Sequence, residues 1–457
     1  MIVLTLDEIV SFCGGELINA DGALLIKNAE TDSRKDMTDG IFFALKGERF
    51  DGHDFLAQAL ANNGAVLCVQ RGRNPVDAPC WVVDDTLKAY QKLGELMLQK
   101  AAIPTVGVTG SVGKTSVKEM CRAVLEYKFG AGNVLFTEGN TNNHIGVPQN
   151  LMRLNESHRA AVIEMGTSSF GEIKVLSEIV KPEVALINSI APCHLENLGS
   201  LDGVAKEKSA IFDHAAKAAV FPGNIAQSKQ LENAALNAGL KMVKFGDCSS
   251  GGFDFYYCTF RGSISGSSFK LCSSNECVEV DWSLQGEHQA QNACAAAAVG
   301  AYFGMSLSEI AAGLKNTTLP GMRAKITEKD GVHYYNDAYN ANPASMTAVL
   351  KMIADCGTNG EFELENVILV IGDMLELGEN SLAEHRNILL FAAEKMPQAK
   401  VLAVGENYMH FANDFDMEFF ADSKAAGKRL AAVLAPGKWV FLKGSRSMKM
   451  ENALISE

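Results

Sequence analysis

None of the eleven cysteines in this sequence forms a C-x-x-C pair, and Cys272 and Cys277 are the closest two. An odd, scattered set in a chain of 457 residues excludes the disulfide framework of a small secreted domain and a zinc ribbon. It reads as buried or free thiols in a reducing compartment. Also missing is any apolar run approaching the length that spans a bilayer. Met1 to Gly15, with Asp7 and Glu8, has neither the basic flank nor the apolar block of an export signal. A cytoplasmic protein without stable membrane insertion is therefore expected. A basic field is absent as well: 41 Lys and Arg stand against 54 Asp and Glu, a net charge of -13. That excludes nonspecific attraction to nucleic acid or anionic membranes, so any anionic ligand must be held by local donors. There is no internal repeat and no long low-complexity tract.

What remains is a globular composition, 47% apolar and 21% charged, with length for about three domains of ordinary size. Its most informative stretch is Thr109-Gly110-Ser111-Val112-Gly113-Lys114-Thr115. Gly110 and Gly113 let the backbone bend until several N–H groups face one anion. Lys114 can reach terminal phosphates, and Thr115 offers a hydroxyl to magnesium. The strict pattern wants a further glycine where Val108 stands, so the match is to a shorter T-G-x-x-G-K-T form. Val106 and Val108 alternate as in a strand before the loop. Val117, Met120, Cys121 and Val124 recur at helical spacing after it.

Residues 1–100 mix short strand and helix signals and form a small N-terminal α/β domain, with Lys100 to Pro104 as the link. Residues 101–319 alternate strand runs, among them Ala161 to Met165 and Val184 to Asn188, with helical stretches, as expected of a central parallel-sheet P-loop ATPase domain. Between Cys248 and Val280, where Phe253, Phe255 and Tyr257 alternate, an antiparallel excursion is expected. Residues 320–457 carry four more strand signals, Val332 to Asn336, Val367 to Ile371, Val401 to Val404 and Trp439 to Leu442, separated by helical stretches such as Pro343 to Ala354 and Leu382 to Glu394. This predicts a C-terminal Rossmann-like doubly wound domain, with functional residues at the carboxyl ends of its strands.

Glu164 ends a strand where a nucleotide domain needs a magnesium ligand, although a solvated carboxylate is equally consistent. His194 and Glu196 follow the next strand, and Lys206 and Lys208 lie on a later helical segment, where solvated lysines are the ordinary case. Gly286 to Ala293 precedes an alanine-rich helix, Ala295 to Ala301, and Asn292 there can both donate to and accept from an adenine edge. Arg323, just after Pro320-Gly321, either makes a surface ion pair or reaches across a cleft to a γ-phosphate.

Taken in order, the glycine loop, Glu164, His194 with the lysine pair, Gly286 to Asn292, Arg323 and Asp337 resemble the Mur ligases of bacterial peptidoglycan synthesis over nearly the whole chain. Asp337-Ala338-Tyr339-Asn340-Ala341-Asn342-Pro343 is similar to a D-S-Y-N-A-N-P signature, with Ala338 in place of serine. Gly372 to Gly378 followed by His385, and Asn140 to Pro148, point to the same branch, which joins D-alanyl-D-alanine to UDP-N-acetylmuramoyl-tripeptide. The resemblance implies an ATP- and Mg2+-dependent amide ligase acting through an acyl phosphate, in cell wall synthesis and hence in cell shape and division. A monomer is expected.

By the same resemblance, Lys114, His194, Lys208 and Arg323 serve catalysis. Thr109, Gly110, Ser111, Val112, Gly113, Lys114, Thr115, Asn292, Arg323 and Asp337 hold ATP. Metal falls to Thr115, Glu164, His194 and, if carbamoylated, Lys208, with Lys206 the alternative lysine. Ser33, Arg34 and Lys46 would recognise uridine; Asn142, Asn143, Tyr339 and Asn342 would face the peptide or dipeptide. A sister ligase adding a diamino acid usually carries a D-Y-A-H-x-P segment at Asp337 to Pro343. Folylpolyglutamate synthetase should lack the Asp32 to Phe55 segment. A nucleotide switch without ligase chemistry is the alternative of another class, and the guanine motif N-K-x-D is absent.

Overall fold

Strand Thr105–Thr109, a glycine turn and helix Lys114–Phe129 form the centre of the molecule, in a computed structural model that describes residues 1–75, 77–249 and 251–454. Val106 and Val108 on one face of the strand, and Val117, Met120, Cys121 and Val124 on the helix, are all buried in one cluster. The alternation and the three- and four-residue spacing bring them together. Helix Glu287–Tyr302 lies alongside, and a Cβ on its Gly300 would meet Ile310 Cγ1 at 2.6 Å and Val124 Cγ1 at 2.9 Å. Small residues on that helix set the close approach, and a larger one would force the helices apart.

The central sheet has nine strands. Their order is Cys277–Trp282, Gly266–Ser273, Phe255–Ser263, Lys241–Asp247, Ala218–Pro222, Val184–Ile187, Thr105–Thr109, Ala160–Glu164 and Val134–Phe136. All neighbours are parallel except the pairs Phe255–Ser263 with Gly266–Ser273 and Gly266–Ser273 with Cys277–Trp282. The antiparallel segment therefore extends the sheet, and its first strand enters in parallel. Cys277–Trp282 is the edge, with Glu279 and Asp281 exposed and Val280 and Trp282 buried.

At the start of that hairpin the thiol expectation is corrected. Cys272 and Cys277 are directly opposite in register, their Cα atoms 4.0 Å apart, and are joined by a disulfide; the other nine cysteines are free. A second boundary also differs. The alanine-rich helix begins at Glu287, so Asn292 lies within it rather than before it.

A five-stranded sheet is built from strands between Glu16 and Val83, and a six-stranded sheet from strands between Lys325 and Lys443. In the latter, Lys325–Lys329 pairs antiparallel with Val332–Asn336 and the remaining pairs are parallel. Helices Pro343–Thr358 and Ser381–Lys395 lie close to the expected spans. Helix Thr86–Ala101 carries Tyr90, Leu93 and Met97 into the same apolar cluster as Val147, Leu151 and Ile163, so the first and central sheets share a core. The third sheet has its own clusters around Leu369 and Val370. Among the described residues no helix is long and apolar enough to cross a membrane.

Candidate active site

The glycine loop is braced from the neighbouring strand end. Ser111 N donates to Ser189 O at 3.0 Å and Val112 N to Ser189 Oγ at 2.9 Å, while Asn188 Nδ2 donates to Val112 O. Gly110 sits so close to Asn188 that a Cβ there would fall 1.7 Å from its Oδ1. Gly113, at φ +80°, occupies the left-handed region that favours glycine. Without these two glycines the loop could not turn its amides inward above the start of helix Lys114–Phe129, the arrangement that binds phosphate. Lys114 Nζ donates to Gly110 O at 2.8 Å, so the amine lies across the loop.

Several further elements deliver polar groups around this loop. Glu164, at the end of Ala160–Glu164, accepts from Asn142 Nδ2 at 2.8 Å through Oε1, while its buried Oε2 has no partner. A buried carboxylate oxygen without a donor suits a cation. His194, at φ +50°, places Nδ1 2.6 Å from Glu376 Oε2, which hydrogen-bonds across from the third sheet and holds that carboxyl below its usual range. Lys208 is buried and Lys206 exposed. Burial first, and then the charge of Lys114, push the Lys208 amine down to about 7, which makes it nucleophilic near neutrality.

From the third domain comes Arg323, whose Nη2 donates to Thr115 Oγ1 at 3.1 Å and whose guanidinium carbon stands 3.6 Å from the ring centroid of Tyr339. Asp337 Oδ2 accepts from buried Lys443 Nζ at 2.5 Å, and Oδ1 from Ala324 N at 3.2 Å. Asn292 Nδ2 donates to Gln289 Oε1 at 3.0 Å, beside Gly113. Asn143 and Asn342 both lend side-chain oxygens to helix starts, accepting from Gly146 N at 2.8 Å and Ser345 N at 2.9 Å.

A cavity of about 750 Å³ opens between the two domains. It is lined by Ser111 to Thr115, Asn142, Asn143, Glu164, His194, Asn292, Arg323, Asp337, Tyr339 and Asn342. Thr109, Gly110 and Lys208 are buried and do not line it. Ser33, Arg34 and Lys46 do not line it. Ser33 Oγ donates to Gln58 Oε1 at 2.8 Å, Arg34 pairs with the Asp32 carboxylate at 2.7 Å, and Lys46 is exposed on the first domain. Among the described residues no three His, Cys, Asp or Glu side chains converge as a ready metal site. Asn188, Ser189, Glu376 and Lys443 were missed from sequence. Asn188, Ser189 and Lys443 were hinted at only by their positions at or after strand ends, and Glu376 by its place in the Gly372 to Gly378 segment.

A phosphate loop on one α/β domain, met by an arginine from a second across a cleft, defines a nucleotide-dependent enzyme that works between domains. Residues 108–300 match the Mur ligase middle domain, and residues 322–446 match the Mur ligase, glutamate ligase domain. The chain belongs to the Mur ligase family. It is 36% identical to the UDP-N-acetylmuramoyl-tripeptide--D-alanyl-D-alanine ligase of Escherichia coli (strain K12), over 99% of this chain and 98% of that one. To the ligase of the same name from Bacillus subtilis (strain 168) it is 33% identical, over 99% and 97%. Among solved structures, MurF from Acinetobacter baumannii superposes with a TM-score of 0.89 at 30% identity, over 99% and 98% of the chains. The MurF ligase from Thermotoga maritima in complex with ADP gives 0.81 at 25%, over 93% and 96%.

Proposed function

We propose that this chain is the ATP-dependent ligase that adds D-alanyl-D-alanine to UDP-N-acetylmuramoyl-tripeptide, in the cytoplasmic synthesis of the peptidoglycan precursor that supports cell shape and division. The observation that carries this reading is the contact of Arg323 with Thr115 Oγ1, which brings the third domain onto the phosphate loop. The likeness to ligases of that name extends over nearly the whole chain.

In this reading a carboxylate oxygen of the tripeptide attacks the γ-phosphorus of ATP and ADP leaves. The neutral dipeptide amine then attacks the acyl phosphate carbon, and the tetrahedral intermediate gives up an amine proton, expels phosphate and becomes the amide. Lys114 and Arg323 offset charge growing on the phosphoryl oxygens. Thr115 and Glu164 would hold one magnesium ion, and His194 with Lys208 as its carbamate a second; the partnerless Glu164 Oε2 supports the fit. Bound there, magnesium supplies charge neutralisation at the phosphates.

The buried, readily neutral amine of Lys208 favours it over exposed Lys206 as the carbamate site. Asp337 would accept from ribose hydroxyls and Asn292 would meet adenine, with the remaining loop residues Thr109 to Gly113 around the phosphates. Ser33, Arg34 and Lys46 take the uridine end, in a domain division of 1–100, 101–319 and 320–457. Asn142, Asn143, Tyr339 and Asn342 face the peptide and dipeptide. The enzyme acts as a monomer.

The test is coupled phosphate release. Release should require ATP, UDP-N-acetylmuramoyl-tripeptide and D-alanyl-D-alanine together. Equal release without the dipeptide, or with a free diamino acid in its place, would overturn the assignment.

A further inference from the structure

The segment that carries Glu376 sits against the His194 turn along its length, not only at one side-chain pair. Gly378 packs in ordinary van der Waals range of the Glu196 backbone: a Cβ on it would lie 3.6 Å from Glu196 Cα. Glu376 and His194 both have left-handed backbones, at φ +63° and +50°, a conformation that costs a non-glycine residue energy and persists only where its surroundings impose it.

The surroundings on the third domain are explicit. Met374 N donates to His385 Nε2 at 2.9 Å, and Leu375 N to Ser445 Oγ at 3.0 Å. Buried Asp373, just before them, accepts from Asn407 N at 3.0 Å and Nδ2 at 2.9 Å. His385, Asp373 and Asn407 do not line the cleft. They fix the loop whose next residue projects toward His194. That residue, Glu376, is itself substantially exposed, at 61% of its side chain, whereas the His194 side chain is 26% exposed.

We propose that Glu376 is a positioning residue for the phosphoryl-transfer site. Its carboxylate accepts from His194 Nδ1–H, which fixes the tautomer and turns Nε2 to the cleft. A histidine that binds a cation through one nitrogen needs an acceptor on the other to set its orientation and raise its basicity. Here the acceptor belongs to a different domain from the histidine. The cation-binding half of the site is thus complete only while the third domain is docked, and docking and divalent-cation binding favour each other reciprocally. The inference rests on the proposed ligase reading for the role of His194.

The test uses the full chain with Mn2+ as the probe, read by electron paramagnetic resonance in the presence of ADP. Relative to the unaltered chain, Glu376→Ala should raise the half-saturating Mn2+ concentration about 10–100-fold. Glu376→Gln, which keeps an acceptor oxygen but not the charge, should fall between. Melting temperatures close to that of the unaltered chain are expected for both, because the side chain is exposed. Half-saturation within about twofold of the unaltered value in both variants would overturn the proposal. Because Mn2+ binding is read without turnover, that result is distinct from failure of the ligase reading, which would appear as phosphate release indifferent to D-alanyl-D-alanine in the unaltered chain.

Discussion

Arg323 donates to Thr115 Oγ1 at 3.1 Å although 208 residues separate them in sequence. The guanidinium carbon lies over the ring of Tyr339, 3.6 Å from its centroid, while Nη2 reaches the phosphate loop, so one group makes both a cation–π contact and a donor contact. Arg323→Ala should therefore lower the turnover of dipeptide-dependent phosphate release by about a thousandfold, the scale of an arginine that stabilises phosphoryl-transfer charge. Arg323→Lys should recover little of it, since an ammonium cannot stack and fork together. Steady-state kinetics at saturating substrates decides this, and a Lys variant with nearly full turnover would count against it.

Lys208 is expected to carry a carbamate. Carbon NMR of protein equilibrated with isotopically labelled bicarbonate should show a carbamate resonance that disappears in Lys208→Met and persists in Lys206→Met. Turnover should fall with it, by roughly 10–100-fold or more. Loss of the resonance in the Lys206 variant alone would reassign the site.

His288 keeps part of its surface open to the cleft yet is walled in by protein, and that burial, before any neighbouring charge, depresses its imidazole to about 4. The unfolded chain binds this proton near pH 6.5 and the folded chain does not. The contribution of this group to stability is therefore greatest above pH 6.5, declines as pH falls from there toward 4, and changes no further below that. At most ~3 kcal/mol is involved. His288→Gln should flatten this part of the acid limb in urea midpoints measured from pH 7 to 4; an unchanged slope would refute the account.

Glu207 is a buried carboxylate that accepts from Gly171 N at 2.7 Å, Ile173 N at 2.8 Å and Thr167 Oγ1 at 3.1 Å. It caps helix Glu172–Val180 from a distant element. Glu207→Ala leaves the buried Ile173 amide and the part-buried Gly171 amide without their acceptor and should cost about 2–4 kcal/mol of stability. Denaturant unfolding monitors it, and a loss under about 0.5 kcal/mol, the range of an ordinary surface substitution, would show that water replaces the carboxylate.

The features that sequence revealed are those written locally. The Thr109 to Thr115 turn needs its glycines within seven residues, and the strands around it declare themselves by alternation. Glu164 was found through its position at a strand end, Arg323 through its place after Pro320-Gly321 near the domain boundary, and Asp337 through the family resemblance. The start of helix Glu287–Tyr302 was misread because nearly all of its faces are buried, which erases the polar-apolar period. Glu376, Asn188, Ser189 and Lys443 depend on contacts between elements far apart in the chain. The Cys272–Cys277 bond follows from a register of the Gly266–Ser273 and Cys277–Trp282 strands that no spacing rule specifies.

That last strand has a consequence for how the molecule meets its own copies. Cys277–Trp282 leaves one side of its backbone unpaired, but Glu279 and Asp281 alternate along it in solvent. A second chain adding itself there would bring like carboxylates together and strip their water. The longest sheet in the protein therefore ends in an electrostatic barrier against edge-to-edge aggregation.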